Sequence, residues 1–257
     1  MNVTASRPVA TDSRRKTPLA AVIFDVDGTL YDQPPLRRAM AIRLMRCVAR
    51  QPATGARTIR VLRAYRHAQE TLRHAPTVDN VAAAQIRIAA ERTGIHEETV
   101  AACVRRWMEE EPLDLLGRCV YPGTLEVLRT CRTKGLRLAA LSDYPAEGKL
   151  RAMGMADLFD VVVSAQTPEV NAFKPNPRGL LVALERLGVT ASECLYVGDR
   201  ADVDAIAADA AGVRCAILTN RRAAEPRSFL TVTNYSELLG LLDDLSSAVT
   251  NTPRRLL

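Results

Sequence analysis

The stretch LAAVIFDVDGTLYD, residues 19–32, decides how this chain is read. Its first seven residues form an apolar run that ends in an acid. β-Branched and aromatic residues bounded by a glycine turn predict a strand covered on both faces. The carboxyl end of such a strand is where an open α/β sheet carries its chemistry. Asp25 and Asp27 stand there two residues apart, and in extended backbone residues two apart point to one side. Both carboxylates therefore face a common point. Unneutralised they repel, and the physical remedies are a shared proton or a cation. A hard divalent ion, Mg²⁺ above all, suits oxygen ligands of this kind.

Three further segments close in a similar way. RLAALS, residues 137–142, follows a segment in which Leu125, Leu128 and Cys131 recur at helical spacing and Gly135 supplies a stop. It ends at Ser142 and Asp143. NAFKPNP, residues 171–177, holds Lys174 ahead of two prolines that fix φ on either side of Asn176 and start a helix over 178–187. CLYVGDRADVD, residues 194–204, is an apolar run closed by Gly198 and Asp199, leading into a helix over 201–211 that stops at Gly212. Asp202 fits a first-turn acid favoured by the helix dipole. Additional strands are expected at 161–165, 214–219 and 229–233, and a last helix at 236–245. Strands alternating with helices imply a parallel sheet with helices on both faces.

DVDGTLYD resembles the first motif of the haloacid dehalogenase-like (HAD) superfamily, Asp-x-Asp-Gly-Thr/Val, and the other segments follow in the family's order. Ser142 matches the lone Ser or Thr of the second motif, and Lys174 the Lys-Pro-x-Pro of the third. Asp199 and Asp204 match the Gly-Asp-x-x-x-x-Asp of the fourth at its longer spacing. The resemblance runs from residue 19 to about residue 234. It implies an α/β fold with a Rossmann-like parallel-sheet core. It also implies that Asp25 is a nucleophile forming an aspartyl-phosphate, that Asp27 is a general acid/base, and that Lys174 offsets the charge of both nucleophile and phosphate. Gly28, Ser142, Asp143 and Lys174 would bind the substrate phosphate. Asp25, Asp27 through its carbonyl, Asp199 and Asp204 would make up the Mg²⁺ site. One position departs from the pattern: Asp143 stands where Asn is commoner, and a carboxylate beside a phosphate is unfavourable unless it turns away.

Residues 33–117 differ in kind. They show no convincing strand, are rich in Ala, Arg and Leu at helical spacing, and carry turn signals at 52–55, Pro76 and Thr93-Gly94. A long insertion directly after the first motif resembles the α-helical cap of the family's largest branch, a lid that closes over the core and excludes water. The expected organisation is thus a disordered extension at 1–18, a core at 19–32 and 118–257, and a cap at 33–117. Fourteen arginines and no lysine, against nine acids, place most of the chain's net charge of +6 in that insertion. Guanidinium groups bind phosphates and carboxylates in a fork, which suits an anionic substrate. Arg is also a good helix former, and most of these residues are expected to solvate outer faces. A pI of about 9.2 raises nucleic-acid binding, but only 4% of residues are aromatic and no nucleic-acid module is recognisable, so none is expected.

The chain has 257 residues, enough for a full α/β core and a second small domain. Six cysteines without Cys-x-x-Cys spacing suit a reduced, cytoplasmic protein. No apolar span reaches 18 residues, which leaves no transmembrane helix. The expected activity is Mg²⁺-dependent hydrolysis of a phosphomonoester of a small metabolite through phospho-Asp25, by a monomer or homodimer. Asp27 disfavours haloacid dehalogenation, a branch that lacks the second Asp. The alternatives are a phosphomutase of the β-phosphoglucomutase type, in which Val is commoner at the position of Thr29, and a non-catalytic binding or regulatory protein on the same fold.

Overall fold

The computed structural model describes residues 17–75, 78–219 and 228–247. The expected N-terminal extension up to residue 16, and Pro76, lie outside them. After β1 (Ala21–Asp25) the chain runs through α1 (Gln33–Arg50), α2 (Pro52–Arg73), α3 (Val81–Thr93), α4 (Glu97–Val104), a π-helical turn (Arg105–Glu110) and α5 (Leu113–Leu116). It then alternates: α6 (Thr124–Thr133), β2 (Arg137–Ser142), α7 (Glu147–Ala152), β3 (Val161–Ser164), α8 (Arg178–Leu187), β4 (Cys194–Gly198), α9 (Ile206–Ala210), β5 (Arg214–Leu218), β6 (Leu230–Val232) and α10 (Tyr235–Ser247).

The six strands form one parallel sheet in the order β3-β2-β1-β4-β5-β6. Alternate side chains feed two cores. Val22, Phe24, Leu138, Ala140, Leu195 and Val197 meet α6, α7 and α10 on one face. Ala21, Ile23, Ala139, Leu141, Cys194 and Tyr196 meet α8 and α9 on the other. Each fully buried side chain of the size of Ile23 or Phe24 contributes about 1.5–3 kcal/mol relative to exposure. A one-residue slip would exchange the two faces, so the register is firmly set. Strand order reverses between β1 and β4, and the carboxyl ends of these two strands form the switch point where open α/β sheets take their ligands.

Among the described residues of 33–117 there is no strand, only helix and turn. The turn expected at 52–55 is confined to Gln51 (φ −142°, ψ 80°), and α2 begins at once with Pro52 in its first turn. Gly55 lies inside the helix for a packing reason: a Cβ there would sit 2.5 Å from Val48 Cγ2 and 2.6 Å from Val48 Cα, so glycine lets α1 and α2 touch. The helix expected over 201–211 starts as a π-helical turn (Ala201–Ala205) before α9. There the Asp204 side chain folds back onto the backbone N–H groups of Asp199 and Arg200, at 3.2 and 3.0 Å. α7 had no signal in the sequence, because six residues containing a glycine hold too little periodicity to read.

The helical insertion is packed onto the sheet's loops. Tyr144, just after β2, lies against Val61, Tyr65 and Ala89. Ala165 and Phe173, after β3, are buried with Leu72, Val81 and Ala84. This brings the C-terminal end of α2 over the carboxyl ends of the strands.

Candidate active site at the carboxyl ends of β1 and β4

Asp25 is the last residue of β1 and is 4% exposed. The Thr29 hydroxyl donates to its Oδ2 at 3.0 Å, and Lys174 Nζ donates to its Oδ1. The same ammonium reaches Asp204 Oδ1 at 2.8 Å and the Tyr196 hydroxyl at 3.1 Å. Tyr196 in turn donates to Asp204 Oδ1 at 2.8 Å. One carboxylate oxygen from each of Asp25, Asp199 and Asp204 falls within 4.8 Å of the others. Gly28 makes the approach feasible: its φ is +103°, and a Cβ there would lie 2.3 Å from Asp199 Oδ2.

Three carboxylates, two of them buried and Asp199 half-buried, against one ammonium leave a negative excess, and their acidities reflect it. Burial, followed by the charges of Asp204 and Asp199, holds the Asp25 carboxyl well above the usual range despite Lys174. Burial and then Asp204 push Asp199 up to about 6. Burial alone would raise Asp204 too, but Lys174, the Arg200 N–H and the Tyr196 hydroxyl together outweigh it and keep that group low. All donors at this point are hard oxygens. A small divalent cation between Asp25 and Asp199 would cancel the excess, so the residues fit an ion such as Mg²⁺.

Asp27 lies outside that cluster. Lys149 Nζ, on α7, contacts both of its carboxylate oxygens at 2.6 and 2.8 Å. Tyr31 donates to Oδ1, and Ser142 Oγ to Oδ2 at 3.2 Å. Burial would raise this carboxyl, but Lys149, Tyr31 and Ser142 together hold it low. The Asp27 carbonyl accepts from the Gln33 side-chain amide. Ser142 also accepts from the Tyr144 N–H at 3.2 Å.

The Asp143 side chain is directed to the helical insertion. Arg73 Nη2 donates to its Oδ2 at 2.6 Å, Gln69 Nε2 donates to the same oxygen at 3.0 Å, and the Lys174 N–H meets its Oδ1 at 3.3 Å. Arg73 also donates to the Lys174 carbonyl. Asn171, three residues before Lys174, accepts from the Val81 N–H at 2.7 Å and donates to the Val78 carbonyl at 2.6 Å. The loop carrying Lys174 is therefore tied to the insertion at two points. Elsewhere in the insertion arginines meet local partners, such as Arg43 with Glu111 and Asp114 and Arg106 with Glu111.

The sequence-selected residues Asp25, Lys174, Asp199 and Asp204 converge, with Gly28 against Asp199, while Asp27 and Ser142 form a neighbouring group. Sequence reasoning missed Lys149, Tyr31, Tyr196 and the individual role of Arg73. One signal was available for Lys149. The chain has only four lysines, at 16, 134, 149 and 174, and the last two sit on the paired aspartates of the first motif.

The fold, the order of the four loops and this constellation define a known class. The chain belongs to the haloacid dehalogenase-like hydrolases, whose family model matches residues 19–212. Phosphoglycolate phosphatase 1 of Pseudomonas aeruginosa is 29% identical over 240 residues, spanning 89% of this chain and 81% of that protein. The phosphoglycolate phosphatase of Rhodospirillum rubrum is 31% identical over 240 residues, with 88% of each chain covered. Among solved structures, a 2-haloacid dehalogenase from Pseudomonas syringae aligns with a TM-score of 0.62 at 22% identity, over 88% of this chain and 98% of that one. A β-phosphoglucomutase from Clostridium difficile gives 0.60 at 15% identity, over 89% and 98%. At such identities the two structures attest the shared fold. No helix among the described residues is long and apolar enough to cross a membrane.

Proposed function

We propose that this chain is a Mg²⁺-dependent phosphatase that hydrolyses a phosphomonoester of a small metabolite through a phospho-Asp25 intermediate. The observation that carries the proposal is the cluster in which Lys174 bridges the buried Asp25 and Asp204 while the half-buried Asp199 approaches without a direct ammonium contact. Asp25 would hold the ion together with Asp199, and Asp204 would contribute chiefly by fixing Lys174 and the Asp199 backbone. The Asp27 carbonyl would join once the Gln33 amide gives way. When bound, the ion supplies Lewis-acid stabilisation of the charge on the transferring phosphoryl group.

The chain's own residues then carry two displacements. An Asp25 oxygen attacks phosphorus, the bond from phosphorus to the ester oxygen breaks, and Asp27, whose carboxyl the negative charge of the bound phosphate would raise from its low resting value, delivers a proton to the departing alcohol. Water next attacks the phosphoryl group of the intermediate, Asp27 takes its proton, and phosphate leaves with Asp25 regenerated. Lys174 neutralises the nucleophile and incoming phosphate throughout. Gly28, Ser142 and the Asp143 backbone N–H would bind the phosphate. Residues 33–117 would act as the lid that excludes bulk water.

The relatives' names make 2-phosphoglycolate the first substrate to test. The decisive experiment incubates purified protein with a panel of phosphorylated metabolites, 2-phosphoglycolate included, with and without Mg²⁺, and reads released phosphate. Metal-dependent release from at least one small monoester supports the proposal. Silence across the panel and on p-nitrophenyl phosphate contradicts it.

A further inference from the structure

Lys149 is a charged group at this site that no family motif accounts for. It projects from α7, its side chain is 10% exposed, and its ammonium contacts both oxygens of Asp27. Two other donors meet the same carboxylate: the Tyr31 hydroxyl from the loop after β1 and Ser142 Oγ from the end of β2. Three donors from three separate segments thus converge on one short side chain. Tyr31 holds one oxygen and Ser142 the other, each by a single bond. Lys149 spans both oxygens and closes the clamp.

An acid/base group works only within hydrogen-bond reach of the proton it transfers, about 2.6–3.2 Å. A misplacement of about 1 Å can cost about a hundredfold in rate. We propose that Lys149 is a positioning residue, holding the Asp27 carboxylate where it meets the leaving oxygen. This inference rests on Asp27 being the acid/base of the proposed phosphatase.

The test compares two probe esters of nearly equal shape, phenyl phosphate and p-nitrophenyl phosphate, by kcat/KM, which reports the steps up to transfer onto Asp25. The phenolate of phenyl phosphate needs a proton to leave, whereas p-nitrophenolate departs readily without one. Lys149→Met is expected to lose at least about tenfold more kcat/KM on phenyl phosphate than on p-nitrophenyl phosphate, within the range of a misplaced general acid. KM should change little; the thermal unfolding midpoint is expected to fall, since Asp27 loses its ammonium partner, so the ratio of the two esters is read below the variant's unfolding range. A merely structural lysine would lower both esters alike, and equal losses, or none, overturn the inference. Asp27→Asn is run alongside and must show the same selective loss. If it does not, the assignment of Asp27 has failed and the inference falls with it, an outcome distinct from a selective Asp27 variant beside an unselective Lys149 variant. Should Lys149→Met fail to fold, Lys149→Gln, which keeps a polar side chain on α7, is read by the same ratio.

Discussion

Arg73 Nη2 lies 2.6 Å from Asp143 Oδ2, joining the end of α2 to the loop after β2 through a pair whose side chains are only 5% and 11% exposed. The acid that departs from the family pattern at position 143 is thus matched by a buried guanidinium from the helical insertion, and its charge is turned away from Asp25. Removing one member of a buried pair strands the other, at a cost of about 3–5 kcal/mol. Arg73→Met should therefore destabilise the protein by that amount in denaturant unfolding. Adding Asp143→Asn, which removes the stranded charge, should recover most of the loss. A single variant as stable as the parent would show that the pair contributes nothing across this junction.

Asp25→Asn tests the proposed nucleophile. An amide nitrogen or oxygen cannot take the phosphoryl group, so turnover should fall by several orders of magnitude, as deletions of a nucleophile do. The circular dichroism spectrum should be unchanged, because the amide keeps the side chain's shape: its oxygen can still accept from Lys174, and the Thr29 hydroxyl can turn to accept from its N–H. Near-normal activity in a folded variant would remove the covalent mechanism.

Metal dependence follows from the same cluster. Activity should vanish in EDTA and return with Mg²⁺, since the few protein oxygens here leave the remaining positions of an octahedral ion to water and substrate. Asp199→Asn removes a prospective ligand that makes no direct contact with Lys174. It should raise the Mg²⁺ concentration for half-maximal activity by about tenfold or more, in line with losing a charged group from the site. Calorimetric Mg²⁺ binding that is the same in parent and variant would place the ion elsewhere.

The parallel sheet was legible because β1, β2 and β4 are short apolar runs that each end in a glycine or in a polar side chain. Asp25 and Asp199 were legible because each lies at such an end, Lys174 because two prolines follow it closely, and Asp204 through its spacing from Asp199. The rest depended on tertiary approach. Lys149 reaches Asp27 across 122 positions of sequence and Arg73 reaches Asp143 across 70, and no local pattern encodes either pairing. Gly55 looked like a turn because glycine marks both turns and close helix contacts, and only the position of Val48 tells the two apart. Tyr196 was hidden inside its strand, where an aromatic residue reads as core, yet its hydroxyl bridges Lys174 and Asp204.

Gly28→Ala separates backbone strain from crowding at the carboxylate cluster. Gly28 has a φ of +103°, which an alanine adopts only under strain, and the new Cβ would lie 2.3 Å from Asp199 Oδ2 and 2.8 Å from Asp199 Cγ. Gly135 is the control: its φ is +76°, and a Cβ there would meet nothing within 4 Å. Both substitutions carry the left-handed penalty of about 1–2 kcal/mol. Only Gly28→Ala must also displace the Asp199 carboxylate from Asp25. The expected outcome is a comparable loss of stability in the two variants, with Gly135→Ala keeping the parent's Mg²⁺ requirement and turnover and Gly28→Ala losing at least about tenfold in turnover, as small misplacements at reacting centres do. Equal activities in the two variants would mean that the contact between Gly28 and Asp199 is unimportant to the chemistry, and the metal would then have to be held without Asp199.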